Sequence, residues 1–315
     1  MKREIRLPLT ANGRLDRALA DALGLGRALV KRAFQLGEVR VHGKRVHASE
    51  PARPGALVEI DVEPPAGPPS PEPEMPLTVL WEGERCLVVD KPAGIAVHAL
   101  LPGEGGTLAN AVAGRFPECA EAAPEPREGG AVHRLDVETS GCVLFARDPE
   151  AWDLLRGQFR DQTVEKVYLA LVVGRVSAGG VTTVPLAQRG GRVVAAPDAE
   201  AEERLRAKGT SRARAAETHW EVERAFERHT LLRVRIVTGV MHQIRAHLAH
   251  LGYPVAGDVL YGGDAAAVAG LERHFLHAWR LSFEPPGGPG PSARVEVVSP
   301  LPRALAGFLA GLPAA

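Results

Sequence analysis

Residues Ala131 to Arg147 read "AVHRLDVETSGCVLFAR". The apolar run that ends this stretch, Cys142 to Ala146, has the composition and length of a β-strand and follows a Ser-Gly turn signal. What precedes it therefore reads as a loop closing onto a strand, with the Asp136 carboxylate at its tip. Arg134 lies two positions before it, and Thr139, Ser140 and Gly141 lie just after. Loops carried by a rigid sheet are where reactive side chains concentrate. On this fragment alone, however, a turn aspartate capping local N–H groups is the simpler reading.

Working outward, the stretches "LTVLWEGERCLVVD", "VEKVYLALVVGRV", "THWEVERAFERHTLLRVRIVTG" and "ARVEVV" are rich in Val, Leu and aromatic residues and read as strands, with a hairpin at Glu227-Arg228-His229. Helices are predicted at "TLANAVAGRF", "PEAWDLLRGQFR" and "MHQIRAHLAHLG". Strands outnumber helices. The pattern predicts an α+β domain with a mixed, mainly antiparallel sheet and flanking helices. Residues 197–216, small and charged, read as a surface excursion that is partly helical, and no solenoid or propeller period is present.

Upstream, seven of the fourteen residues from Glu63 to Pro76 are proline, which excludes a helix and predicts a stiff linker. The chain then divides into residues 1–62, a linker over 63–76, and a large domain over 77–315. In the front part, "RLDRALADALG" and "GRALVKRAFQLG" place apolar residues at helical spacing (Leu15, Leu19, Leu23, then Leu29, Ala33, Leu36), each run ending on glycine. Short alternating strands follow around a His42-Gly43-Lys44 turn and in "ALVEIDV". The result is a small α/β module.

At 315 residues, with 45% hydrophobic and 24% charged residues, the composition is that of an ordinary globular protein long enough for two domains. A formal net charge of zero argues against a wholly basic nucleic-acid protein. The charge is unevenly spread, since residues 1–62 hold twelve Lys/Arg against seven Asp/Glu. Three widely spaced cysteines, Cys86, Cys119 and Cys142, show no metal-ligand pairing and suit a reducing compartment. No apolar run approaches a membrane span and no signal pattern opens the chain, so a cytoplasmic, untethered protein is expected.

Residues 14–62 resemble the S-four-type RNA-binding module named for a small-subunit ribosomal protein. Arg27, Lys31, Arg32, Arg40 and Lys44 fall between the apolar positions and form the expected RNA-binding face. A solvated basic face without a partner is the alternative, and loss of RNA affinity with salt distinguishes the two.

The larger domain carries a more extensive likeness. "VHRLDVETSG" resembles the signature of the RluA-type pseudouridine synthases, His-Arg-Leu-Asp, two variable residues, Thr-Ser-Gly. Asp90-Lys91-Pro92-Ala93-Gly94 with Val97-His98 resembles the family's Lys-Pro-x-Gly element, and Glu165 to Ala170 its Lys-x-Tyr-x-Ala strand. "TGVMHQIRAHLAHLGYPVAGDVLYG", from Thr238, resembles its His-Gln-Ile-Arg helix and Gly-Asp-x-x-Tyr-Gly turn, and "LHAWRLSF" its closing strand. Val240-Met241 depart from the Arg-Thr usual in the family, which bears on one contact at that turn but not on the catalytic positions.

The resemblance implies an RNA isomerase that breaks the N1–C1′ bond of uridine, turns the base and joins C5 to C1′. Asp136 is the implied catalytic carboxylate, Arg245 its guanidinium partner, and Tyr168 the ring against the base with a hydroxyl for proton transfer. A helix over this region has Met241, Ile244, Leu248 and Leu251 as its apolar stripe, with Arg245 about 100° from Ile244, beside the core. Arg134 is implied to enter the space left by the flipped uridine, as a planar guanidinium can. His133, Thr139, Lys166, Gln243 and Ile244 complete the expected substrate-binding set.

No cofactor and no metal are expected. Of the helix histidines only His247/His250 has ligand spacing, and no acid accompanies it within the run. A non-catalytic RNA-binding or assembly factor of the same fold is the competing reading, and a glycosidase is disfavoured for want of a second acid. The expected partner is RNA, ribosomal (large-subunit) ahead of transfer RNA, with no membrane and a monomer as the default.

Overall fold

The computed structural model describes residues 2–23, 27–61, 67–100, 104–262, 268, 270–287 and 294–315. It divides into two compact units, Met1–Gly67 and Pro68–Ala315.

In the first unit β1 (Lys2–Arg6), α1 (Leu15–Leu23), α2 (Arg27–Leu36), β2 (Val39–Val41), β3 (Lys44–Arg45) and β4 (Leu57–Asp61) follow in order. The strands form one antiparallel sheet, β1-β4-β2-β3. Leu15 and Leu19 of α1 pack with Val30, Ala33, Val39, Val58 and Ile60. The inward phase of α2 is therefore Val30–Ala33, with Phe34 beside it, while Leu36 is 52% exposed. Of the apolar positions expected to face inward on α2, Ala33 is buried and Leu36 is not, and the side chain of Leu29 lies outside what the structure describes. Strand β1 has too many charges to show a period, and its ladder with β4 forms it. Lys31, Arg40 and Lys44 are exposed; the side chains of Arg27 and Arg32 lie outside what the structure describes.

The second unit contains β5 (Thr78–Glu82), β6 (Cys86–Lys91), α3 (Leu108–Arg115), β7 (Ser140–Ala146), α4 (Pro149–Arg160), β8 (Glu165–Val173), β9 (Gly180–Thr182), β10 (Leu186–Arg189) and β11 (Arg192–Ala195). After these come α5 (Ala199–Ala207), β12 (Thr218–Ala225), β13 (His229–Ile236), α6 (Gln243–His250), α7 (Val259–Gly262), β14 (Leu276–Phe283), β15 (Val295–Val298) and α8 (Arg303–Ala310). Among the described residues nine strands form one sheet in the order β5-β6-β7-β14-β8-β13-β12-β9, with β15 on β14. Every pairing is antiparallel except β7 with β14, where His277 meets Ser140 and Ala278 meets Gly141. The fold is thus α+β with a mixed, mainly antiparallel sheet.

Period-two alternation sorts the sheet's side chains into two layers. Leu87, Val89, Val143, Phe145, Tyr168, Ala170 and Val172 pack under α3 and α6, whereas Val88, Cys142 and Leu144 pack with Ala151 and Leu155 of α4. Helix α4 starts where Asp148 caps the Ala151 N–H and Pro149 supplies the first turn. Of the proline-rich segment, residues 63–66 lie outside the described residues. Beyond Gly67 the segment runs along α3, with Ser70 O accepting from Asn110 Nδ2 at 2.8 Å and the Glu72 N–H donating to Asn110 O at 3.0 Å. The excursion over 197–216 contains α5, and a separate hairpin, β10–β11, precedes it.

Candidate active site

Asp136 sits in a loop whose carbonyls are claimed one after another. Asp136 O accepts the Thr139 N–H at 3.0 Å, closing a turn. Val137 O accepts Lys91 Nζ at 2.8 Å and the Gly94 N–H at 3.0 Å, and Glu138 O accepts Arg273 Nη1 at 2.8 Å. Lys91 is 0% exposed and also donates to the carbonyls of Pro92 and Ile95, each at 2.8 Å. Burial pushes its pKa down to about 8. Thr139 Oγ1 bonds His274 Nε2 at 2.8 Å. The loop enters β7 through Gly141, at φ +119°, where an added Cβ would stand 2.2 Å from Ala278 O. Only glycine allows β14 to approach there.

The Asp136 carboxylate, 24% exposed, presents Oδ2 to Arg245 Nη1 at 2.8 Å. Arg245, 6% exposed on α6, makes a second, two-pronged bond to Asp258: Nε to Oδ2 at 2.7 Å and Nη2 to Oδ1 at 2.9 Å. Asp258, 2% exposed, follows Gly257, whose positive φ of 79° lets the chain pass Arg273 O. Burial by itself would lower the Arg245 pKa, but its bonds to Asp258 and Asp136 outweigh burial and raise it. One guanidinium therefore serves two carboxylates, one sealed and one open to the site, a use of its planar fork that an ammonium cannot match. The Tyr261 ring lies 5.1 Å from the Arg245 carbon, on its face.

Tyr168, on β8, packs in the layer that contains Ile244 and Leu248. Its phenol is pushed above the ordinary range, first by burial and then by the Asp136 charge, so it stays protonated at neutral pH. Asp136, Arg245, Tyr168 and Ile244 thus come together. Arg134 is exposed, with no ion pair among the described residues.

Four members of the expected substrate-binding set have their polar groups engaged by the protein itself. His133 accepts the Leu144 N–H on Nε2 at 3.1 Å and stacks on Phe159, with ring centroids 4.8 Å apart. Burial, with Lys166 and Arg156 nearby, lowers its pKa to about 3, so it fills the gap beside β7 as a neutral ring. Lys166 donates to Val237 O at 3.0 Å and lies over Phe159, with burial lowering its pKa to about 8. Gln243 accepts from Thr238 Oγ1 and the Val240 N–H, and donates to Glu217 O and Thr218 Oγ1. With every amide valence taken, it staples the turn before α6. Thr139 is spent on His274 and positions the loop.

The helix also departs from its expected stripe. Gln243 through Leu248 are all buried, Met241 precedes the first turn, and Leu251, at the C-cap, is 37% exposed. Val240 and Met241 pack against Tyr261 and Ala246. Both ring nitrogens of His247 are engaged, by Thr218 Oγ1 and Val184 O. Among the described residues no three His, Cys, Asp or Glu side chains converge as a metal set. Sequence reasoning missed Asp258, His242 and Tyr261. The available signal was a lone acid in the apolar run "YPVAGDVLYG", which burial would force to find a cation.

Comparison with known proteins agrees with this architecture. The family model for RNA pseudouridylate synthases matches residues 85–250. A ribosomal large subunit pseudouridine synthase D of Xylella fastidiosa is 35% identical over 98% of this chain and 92% of its own length. An uncharacterized RNA pseudouridine synthase of Chloroflexus aurantiacus is 36% identical over 89% of this chain and 84% of its own. Human RNA pseudouridylate synthase domain containing 1 shares the fold, with a TM-score of 0.56 and 24% identity over 74% of this chain and 86% of its own. The chain belongs to the RNA pseudouridylate synthase family, as its RluA-type motifs imply, and is an RNA pseudouridine synthase.

Proposed function

We propose that this chain isomerises uridine in large-subunit ribosomal RNA, with Asp136 as the reacting carboxylate, Arg245 as its fixed counter-ion and Tyr168 as the ring and proton carrier beside the base. The observation that carries the reading is the Asp136 carboxylate, held by a loop with three successive carbonyls anchored and by an arginine that Asp258 locks from behind. The Arg245 guanidinium gives the carboxylate a fixed positive partner at 2.8 Å. An anionic oxygen is thereby kept where positive charge develops as N1–C1′ breaks, or where a nucleophile is needed. Formation of C5–C1′ displaces the C5 proton and N1 gains one, so the reaction consumes no second substrate. The Tyr168 hydroxyl, protonated at rest, can serve there only as a relay that takes up the C5 proton as it releases its own toward N1, which leaves the proton count unchanged.

Arg134, exposed next to the loop, is read as the group that fills the stack when the uridine leaves it, a step costing a few kcal/mol. Residues 1–62 are read as an RNA-binding module that presents Lys31, Arg40 and Lys44, with residues 77–315 as the catalytic domain. The named activity of the Xylella relative supports large-subunit ribosomal RNA as substrate. Among the described residues no helix is long and apolar enough to cross a membrane.

The test is carbodiimide labelling of unmodified total RNA after treatment with wild type or Asp136→Asn, read as reverse-transcription stops. Stops in large-subunit RNA with wild type and none with the variant are expected. Stops with both proteins overturn the role of Asp136, and stops confined to another RNA overturn the substrate.

A further inference from the structure

Arg245 accounts for only one oxygen of the Asp136 carboxylate. The other, Oδ1, faces His242 Nε2 at 3.7 Å. On the far side of that ring, Nδ1 lies 2.9 Å from the Tyr261 hydroxyl, and the same hydroxyl receives the Val193 N–H of β11 at 2.9 Å. A phenol has one proton and a donor already occupies one face of its oxygen, so the O–H is free to donate to Nδ1. The opposite arrangement, with the proton on Nδ1, would aim the Nε2 lone pair at a carboxylate and leave the phenol proton without a protein acceptor among the described residues. The hydrogen bond on one imidazole nitrogen thus decides what the other presents.

The backbone gives independent support. His242 takes a left-handed φ of 54°, unusual for a residue with a side chain, immediately before α6 begins. Strain of this kind persists where surrounding contacts impose it, and it concentrates at functional sites. Gln243 fixes the chain on one side with its four bonds, and Tyr261 fixes the ring on the other.

We infer that His242 is a positioning residue, set by Tyr261 as the Nε2–H tautomer, whose N–H orients the second oxygen of Asp136. This rests on the reading of Asp136 as the reacting carboxylate. The distance of 3.7 Å is longer than a hydrogen bond, so the N–H acts on the carboxylate through its dipole. Because Val193 supplies the first donor, the seating of the β10–β11 hairpin is coupled to the carboxylate through a single chain of polar contacts. The charged groups facing His242 are Asp136 and Arg134 from the loop, Arg245 from its own helix, and Asp258 from the turn that carries Tyr261. Burial lowers its pKa first of all, which keeps the ring neutral at pH 7.

The full-length protein with ¹⁵N-labelled histidine gives the direct test, the His242 signals being assigned by their loss in His242→Gln. Two-bond imidazole correlations at pH 7 should show the Nε2–H tautomer in wild type and a mixture in Tyr261→Phe, which retains the ring under Arg245. In single-turnover isomerisation of unmodified total RNA, Tyr261→Phe and His242→Asn should lower the rate at saturating enzyme about tenfold while half-saturation moves less than about twofold. His242→Gln, whose amide N–H reaches the Nε2 position, should recover most of the loss seen in His242→Asn. The deficit of Tyr261→Phe should shrink as pH falls, because an imidazolium carries both protons and needs no tautomer selection. An Nδ1–H tautomer in wild type overturns the inference. So do unchanged rates in Tyr261→Phe and His242→Asn alongside an inactive Asp136→Asn, whereas turnover by Asp136→Asn shows instead that the reading of Asp136 is at fault.

Discussion

Two buried cations flank the Asp136 loop, and they are neutralised differently. Arg245 meets two carboxylates, and its charge is reinforced by them. Lys91 meets three carbonyls and, among the described residues, no carboxylate within bonding distance, and burial lowers its pKa to about 8. The first arrangement fixes a charge, and the second fixes a backbone. A site that must hold an anion needs both, because a carboxylate with the right charge on a loose loop would be as ineffective as a neutral acid on a rigid one.

Removing the charged member should have the largest effect. Arg245→Met leaves the buried Asp258 without its cation, and breaking such a pair costs about 3–5 kcal/mol. Isomerisation should fall below detection in the carbodiimide assay, with a large drop in the urea midpoint. Arg245→Lys preserves charge but cannot span Asp136 and Asp258 together; it should retain measurable activity, lower by about a hundredfold.

Lys91→Met is the sharper probe of the second arrangement. It strands the carbonyls of Pro92 and Ile95 and takes one of two donors from Val137 O, which keeps the Gly94 N–H; this predicts a loss of about 2–3 kcal/mol in denaturant unfolding at pH 7 and a lower rate without weaker RNA binding. The pH dependence has a definite sign. Between about pH 8 and the unfolded lysine value of 10.5, the unfolded chain binds the proton that the folded chain has released. Stability from this group therefore rises with pH across that window, by at most about 1.4 kcal/mol per pH unit, and is flat below it. A difference between wild type and Lys91→Met that stays constant from pH 7 to 10 would show that Lys91 is not depressed.

Lys166→Met should cost less, about 1 kcal/mol, because only Val237 O loses a donor. A rate effect larger than that of Lys91→Met would support its place in the substrate set, and the absence of a rate effect would remove it. The smallest stability change belongs to Arg134→Ala, within about 0.5 kcal/mol, since Arg134 is exposed. Its effect should appear as weaker RNA binding, measured by filter retention. Unchanged binding would remove it from the base-flipping step.

The same contrast explains what could be read from the chain alone. The pairing of Asp136 with Arg245 was legible because the order of the motifs implied it. Strand β7, which carries the Asp136 loop, was legible as a short continuous apolar run, the pattern of a strand buried on both faces. Asp258 was not, since its pairing with Arg245 joins two segments that only the folded turn after Gly257 brings together. His133, three residues from Asp136, shows the limit of proximity in sequence. Its ring turns to Phe159 and the edge of β7, so a motif reports which residues travel together and not which way they point. The hairpin β10–β11 and strand β1 escaped for another reason: each is two-sided or charged, and its ladder partner specifies it more than its own period does.

The parallel junction of β7 with β14 has a consequence for timing. The loop that carries Asp136 is fastened by Arg273 and His274, some 135 positions later, and its strand is aligned by His277 and Ala278. A chain emerging from N- to C-terminus completes the front unit and the β5–β6–β7 ladder long before those residues exist. Contacts of such long range form late and slowly. The Asp136 loop thus gains its final shape only when β14 arrives, so a polypeptide cut short before β14 would carry Asp136 without the contacts that fix it.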